Sequence, residues 1–424
     1  MRPVTRAVLT YASTPACHWR GSPPPRHNWQ MRLATCLLLA LHLPAQDWPE
    51  FRGPGAQGHA TGKDLPVNWS ESKNIRWKTA IPGLGWSSPA VAGGRIWLTT
   101  AASQGASLRL IAADAATGKI TLDKEIFASD PAKKIHAKAS HASPTPIVDG
   151  QRIYVHFGSQ GTAAVDLNGE VIWKTRFNYE HVHGNGGSPA LHNGVLYLNC
   201  DGGDIQYVVA LDAATGKQKW RVDRKTYMAF ATPLVHNGEV ISPSAHWTAG
   251  YDLETGRENW RVTYGDGFSN IPRPVVGHGM VFLSSGFMQP VMLGVRLGGK
   301  GDVTGSHVAW SLQRGAPHTP SPILNGDELF IVSDKGIATC IEARTGKVHW
   351  QERVGGNHSA SPTLAEGRIY FLSEEGESVV ISASREFRKL ATSSLDGRFL
   401  ASPAVVGRAI YLRSATHLYR IEKP

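Results

Sequence analysis

Eight times along the chain the same hydrophobic pattern returns. Each copy opens on a proline, carries one or two apolar residues, breaks at a polar or glycine turn, and resumes as a longer apolar run. The prolines are Pro89, Pro146, Pro189, Pro233, Pro274, Pro322, Pro362 and Pro403. Seven places after each stands an apolar residue: Ile96, Ile153, Leu196, Val240, Val281, Leu329, Ile369 and Ile410. The preceding residue is Ser or Thr except at Arg273. Short apolar runs bounded by turn residues read as strands. Successive prolines lie 40 to 57 residues apart, the period of a propeller blade built from short strands.

A second element closes most copies. It reads Ala-Leu-Asp212-Ala-Ala-Thr-Gly216-Lys-Gln-Lys-Trp220, and again Tyr-Asp252-Leu-Glu-Thr-Gly256-Arg-Glu-Asn-Trp260. Weaker copies are Asp166…Gly169…Trp173, Glu342…Gly346…Trp350 and Gly305…Trp310, while Asp114…Gly118 lacks the Trp. The pattern predicts a hairpin in which Asp bonds the turn backbone and Gly supplies the positive φ. The Trp then falls on the outer strand and wedges between blades, so Trp220, Trp260 and Trp350 are expected to be buried and Trp86 accessible. The last copy ends at Ile421 without a Trp element, but Asn74-Ile-Arg-Trp77-Lys supplies one at the other end. The predicted fold is therefore all-β: an eight-bladed β-propeller of four-stranded antiparallel blades over 74–424, closed by its N-terminal strand. Residues 47–73 form an N-terminal extension.

Composition sharpens this in three places. The 45 Gly and 26 Pro supply the many turns such a fold needs, and 41% hydrophobic residues with 18% charged exclude a disordered chain. Of the formal +10, residues 1–46 supply five arginines and no acid. From Met31 this segment runs from a charged start through Leu37–Leu43 to a small residue at Ala45, the order of a secretory signal peptide. It is expected to be a leader, with Met31 as the alternative start, so the basic pI says little about nucleic acid. Beyond the leader only Cys200 and Cys340 remain, which fit buried strand positions rather than a disulfide or a four-ligand zinc site. No apolar run approaches the length of a membrane span.

The Asp212–Trp220 signature resembles the repeats of the pyrroloquinoline-quinone (PQQ) propellers, a family that includes quinoprotein dehydrogenases and BamB-like outer-membrane assembly lipoproteins. Asp47-Trp-Pro-Glu-Phe-Arg52-Gly-Pro-Gly is similar to the opening of exported members. The resemblance implies an eight-bladed ring, a periplasmic or secreted location and either an enzyme or a non-enzyme. For the enzyme it implies a Cys-Cys pair and a calcium held by acidic and amide side chains. This chain has no such Cys pair, and acids near the inner strand starts are scarce, so PQQ with calcium is unsupported and no cofactor is expected.

No phosphate loop, metalloprotease, serine-hydrolase or Cys-x-x-Cys motif is present, nor is the basic–aromatic alternation of a nucleic-acid groove. No residue is assigned a catalytic or metal-binding role. The candidate site is a central funnel lined by residues just ahead of the inner prolines: Trp86, His141, His183, Asn185, Phe230, Asn270, Arg273, His318 and His358. Imidazole, guanidinium and amide groups converging there suit an anion, a quinone or a metal; lining a wet channel is the alternative. Two insertions, Asp130–Lys138 and Gly298–Asp302, lengthen the period. The first precedes His141 and is expected as a lip over the funnel, the second as solvated surface. The expected function is that of a non-catalytic binding or scaffold module of the bacterial cell envelope, monomeric, partnered by unidentified envelope proteins and associated peripherally with the outer membrane, with no nucleic-acid partner. A PQQ-dependent dehydrogenase and a small-ligand or metal binder are the two other readings.

Overall fold

The computed structural model describes residues 46–129 and 135–424, together with Gly21. Two compact units divide the chain, Met1–Pro44 and Ala45–Pro424, and the account below is of the second. The leader expected over 1–46 lies outside the described residues except for Gly21 and Gln46, as does the 130–134 part of the first insertion.

Eight antiparallel sheets follow one another around the unit. Blades 1 to 8 take their innermost strands from Ala90–Ala92, Ile147–Asp149, Ala190–His192, Leu234–His236, Val275–Gly277, Ile323–Asn325, Thr363–Ala365 and Ala404–Val406. Each innermost strand starts one residue after its proline, which has no N–H to give to a ladder and so marks the strand's beginning. The apolar residues seven places after the prolines all lie on the second strands with no more than 1% of their surface exposed. Those strands are apolar on both faces because neighbouring blades cover both, as in Met280–Ser284, where every residue is buried. Outermost strands instead alternate, as Ile75–Ala80 does. That strand pairs antiparallel with His417–Ile421, the third strand of blade 8, so the N-terminal strand closes the ring as predicted, and the innermost strands of blades 1 and 8 pack together.

The Asp–Gly turns behave as the sequence implies. Asp212 Oδ1 accepts the Thr215 N–H (2.8 Å) and hydroxyl (2.7 Å), and Asp114 and Asp252 hold their threonines alike. In most blades whose outer strand carries a Trp, that Trp then docks on the turn of the next blade. Trp173 Nε1 donates to Ala213 O, Trp220 to Leu253 O and Trp310 to Ala343 O, at 2.8–2.9 Å. Their rings rest on Gly216, Gly256 and Gly346. Trp77 does the same across the closure, donating to Ala115 O beside Gly118.

Blade 5 departs from expectation. Gly305 belongs to a one-turn helix, Thr304–His307, and forms no hairpin turn. The second insertion is exposed as expected but is not all loop, because Gly301–Asp302 adds a parallel strand to the outer edge of blade 4. With no turn glycine to receive it, Trp260 of blade 4 bonds Glu239 in its own blade (2.9 Å). Among the described residues no helix is long and apolar enough to cross a membrane.

The extension forms a strap along the ends of the innermost strands. Trp48 bridges Val91 of blade 1, and Pro49 O accepts the Val148 N–H of blade 2. Gln57 accepts the Val276 N–H of blade 5, and His59 meets Leu324 O of blade 6. His59–Ala60 pairs parallel with Thr363–Ala365 of blade 7, and Lys63 N–H reaches Gly407 O of blade 8. Six of the eight blades thus touch the strap, which closes that end of the channel.

The candidate functional site: a blind central funnel

A cavity of about 710 Å3 opens where the innermost strands begin. Its floor is a ring of hydroxyls. The Ser or Thr before each inner proline accepts the N–H of the equivalent residue one blade earlier: Ser88 N–H to Thr145, Thr145 to Ser188 and Ser188 to Thr232, each at 2.9 Å. After a break the ring resumes, Arg273 N–H to Ser321, Ser321 to Ser361, Ser361 to Ser402 and Ser402 back to Ser88, at 2.9–3.0 Å. All seven hydroxyl residues line the cavity, and the strap contributes Phe51.

The break falls where Arg273 replaces the hydroxyl. Its guanidinium turns away from the funnel, donating from Nε to Pro233 O (3.2 Å) and from Nη1 to Phe51 O (2.9 Å), with Glu50 3.5 Å from Nη1. Arg52 of the strap donates to Gln57 O and to Pro322 O of blade 6. Burial, with the neighbouring Arg273 charge, lowers the Arg52 pKa to about 9. Burial also raises that of Glu50, against the pull of Arg273. Of the two opposing effects on Glu50 desolvation is the larger.

Two aromatic walls rise from this floor. On one side Tyr227, Phe268, Phe287 and His318 stand in edge-to-face succession, ring centroids 5.4–5.7 Å apart. On the other, His136 meets His183 at 5.6 Å and His183 meets Phe230 at 6.2 Å. Lys138 and Lys335 bring cations to the lining, Lys138 paired with Glu374 at 2.6 Å. His136 and Lys138 therefore do form part of a lip, as the first insertion suggested.

Of the predicted site residues the structure brings Trp86, His183, Asn185, Phe230 and His318 together on the lining. His141, Asn270, Arg273 and His358 are placed elsewhere. His141 packs under Gly105, and burial lowers its pKa. Asn270 is fully buried, donating to the Tyr264 hydroxyl. His358 bonds Gly355 O (2.8 Å) and lies edge-on to Phe371; burial lowers its pKa too. His318 and His358 stand equally far ahead of their prolines, so spacing alone did not decide which faces the axis; a nearby carbonyl captured one of them. Trp86, expected to be accessible, is 7% exposed, no more than Trp220, because its indole donates to Ala139 O and packs beneath Arg398. Sequence reasoning missed Phe51, Phe268, Phe287 and the hydroxyl ring, although the Ser/Thr-Pro recurrence was its visible trace.

A second space, about 20 Å3, lies beside the funnel among His156, His181, Asn185 and Asp201, room for a single water. Burial pushes His156 down to about 3. Next to it the Asp201–Arg224 pair of blade 3, 2.7 Å apart and wholly buried, reaches blade 4 through Ser242, which accepts from Arg224, and Ser244, which donates to Asp201.

The lining does not fit a calcium-held quinone. Its one carboxylate is Asp334, and both oxygens are committed: Oδ2 accepts the His318 and Thr319 N–H groups and Oδ1 the Thr319 hydroxyl. Calcium takes several oxygens, carboxylates foremost. Among the described residues no three His, Cys, Asp or Glu side chains are grouped to hold a metal, and Cys200 and Cys340 are buried free thiols in blades 3 and 6.

Known proteins share this architecture. The structure of BamB from Moraxella catarrhalis superposes with a TM-score of 0.59 at 14% identity, covering 82% of this chain and 97% of that one. A europium-containing methanol dehydrogenase gives 0.66 at 10% identity, over 88% and 90%. Quinohemoprotein alcohol dehydrogenase from Comamonas testosteroni gives 0.62 at 12%, over 89% and 80%. Such identities speak for the fold alone. In sequence, quinohemoprotein alcohol dehydrogenase ADH-IIG of Pseudomonas putida is 28% identical over 148 residues, 30% of this chain and 20% of that protein. This chain thus matches about a fifth of the relative's length. The family model described as outer membrane protein assembly factor BamB matches residues 55–185, 164–286 and 300–422, and the chain belongs to that family of PQQ-like propellers.

Proposed function

We propose that the protein is a non-catalytic binding module of the bacterial cell envelope that holds a small ligand in its funnel and offers its loops to envelope proteins. The observation that carries this reading is the closed floor. A through-channel gives a ligand nothing to rest on, whereas here the strap, tied by Arg273 and Arg52, turns the channel into a cup. Its 710 Å3 lies within the roughly 300–1,000 Å3 of small-molecule sites, and an aromatic wall with a few polar groups is their usual lining. The envelope location and protein partners rest on the BamB-like family. The dehydrogenase reading has the Pseudomonas putida relative in its favour, but lacks a free carboxylate in the funnel.

Visible absorption and metal analysis of purified protein, with a thermal-shift screen against quinones, carboxylates and divalent metals, test the proposal. The expected result is a colourless, calcium-free protein whose melting rises with particular organic ligands. Stoichiometric quinone with calcium would establish the dehydrogenase instead.

A further inference from the structure

The funnel floor offers more hydrogen-bond donors than the protein uses. Each of the seven ring oxygens already accepts a backbone N–H. None of the seven hydroxyls donates its proton to a described residue, and all seven border the cavity. A hydroxyl whose oxygen is held this way keeps its proton for an acceptor outside the ring. Beneath the floor lies charge as well. Arg52 and Arg273 are each 2% exposed; Glu50 lies 3.5 Å from Arg273, no described carboxylate pairs with Arg52, whose charge Arg273 opposes, and Nε and Nη1 of Arg52 have no hydrogen-bond partner. Such a surplus of buried positive charge projects into a low-dielectric cup far more strongly than it would into water. Both cations sit in one sector. Arg273 interrupts the ring between Thr232 and Ser321, and Arg52 bonds the carbonyl of Pro322 next to Ser321.

The same sector is apolar above the floor. Ile271, Phe268 and Phe287 line it, and at the mouth Phe287 and Met288 stay 47% and 62% exposed. Met288 is held at φ 81°, a left-handed conformation that an ordinary residue keeps only where its surroundings impose it. Donors and positive charge below, a greasy strip above and an apolar lip at the top describe one kind of molecule.

We propose that the funnel takes an anionic amphiphile: a single carboxylate or phosphate head on an apolar chain, head down on the Thr232–Ser321 sector and chain against Phe268 and Phe287. The proposal rests on the funnel being a ligand cup. Free fatty acids and membrane-derived lysophospholipids share this chemistry.

Calorimetric titration of the full chain with laurate, dodecyl phosphate and lysophosphatidylglycerol tests it, with dodecanol and dodecyltrimethylammonium as uncharged and cationic controls. The anionic probes are expected to bind at least about tenfold more tightly than both controls, since charge-assisted hydrogen bonds need the anion. Phe287→Asp, at the exposed lip, should weaken laurate by roughly tenfold while leaving the melting temperature unchanged. Ser321→Ala should weaken it also, though that change opens the ring, so Phe287→Asp decides. Tighter binding of laurate points to a free fatty acid as the source, tighter lysophosphatidylglycerol to membrane lipid; both support the proposal. Equal binding of the cationic or uncharged control, or a Phe287→Asp variant that binds laurate normally, overturns it. If aromatic carboxylates or quinones bind and laurate does not, the amphiphile is wrong and the cup survives; if no compound binds, both fail.

Discussion

Arg273 stands where seven other blades place a hydroxyl, and the exchange gives one position two duties. Its backbone N–H still serves the ring through Ser321, while its side chain leaves the ring to hold the strap by Phe51 O, with Glu50 beside it. Replacing it by serine would return an acceptor to the Thr232 N–H, a gain of about 1 kcal/mol. The same change strands Glu50 without its cation, and breaking a buried pair costs about 3 kcal/mol or more. The loss wins: Arg273→Ser is expected to lower stability by about 2 kcal/mol in urea titration. Glu50→Gln in the same background should then cost little, because the two groups act on each other. A serine variant as stable as the parent would mean that the strap is not tied at this point.

At the scale of elements the joint between blades is an indole resting on a glycine. Gly256 and Gly238 both have positive φ, 74° and 80°, so alanine strains either backbone by about 1–2 kcal/mol. They differ in surroundings. A Cβ at Gly256 would come within 2.7 Å of Trp220, whereas at Gly238 it would meet nothing within 4 Å. Gly256→Ala should therefore cost about 1–3 kcal/mol beyond Gly238→Ala, the penalty of overpacking. Equal losses in urea midpoints would show that the indole moves aside freely. These joints were legible in the sequence because turn, glycine and Trp lie within nine residues of one another and recur. The funnel was legible only in part. Phe51 and Arg52 belong to no repeat, so no period announces them, and the fate of His358 was settled by Gly355 O three residues upstream rather than by its distance from the proline. Blade 5 misled for a related reason: Gly305 and Trp310 stand five residues apart where the other copies have four, and the insertion had already replaced the hairpin.

For the molecule as a whole, the N-terminal segment does two separable things: residues 46–73 floor the channel, and Ile75–Ala80 completes blade 8. Removing 46–73 takes Trp48, Leu65 and Trp69 from the core that joins blades 1, 7 and 8, and empties the floor of Phe51. Eight complete blades remain. The expected product is a folded monomer with a lower melting temperature and no affinity for funnel ligands. Removing 46–80 also strips the partner from His417–Ile421 and leaves Gly118 without the Trp77 ring that covers it. An unpaired strand at the end of a blade is a template for another chain, so this longer deletion should aggregate. Light scattering and thermal melts of the two truncations, run side by side, distinguish the roles. Aggregation of both would make the strap itself essential to the ring. A monomeric longer deletion that melts with the shorter one would mean that the ring holds without its eighth outer strand, and that strand exchange between the chain ends is not what closes this propeller.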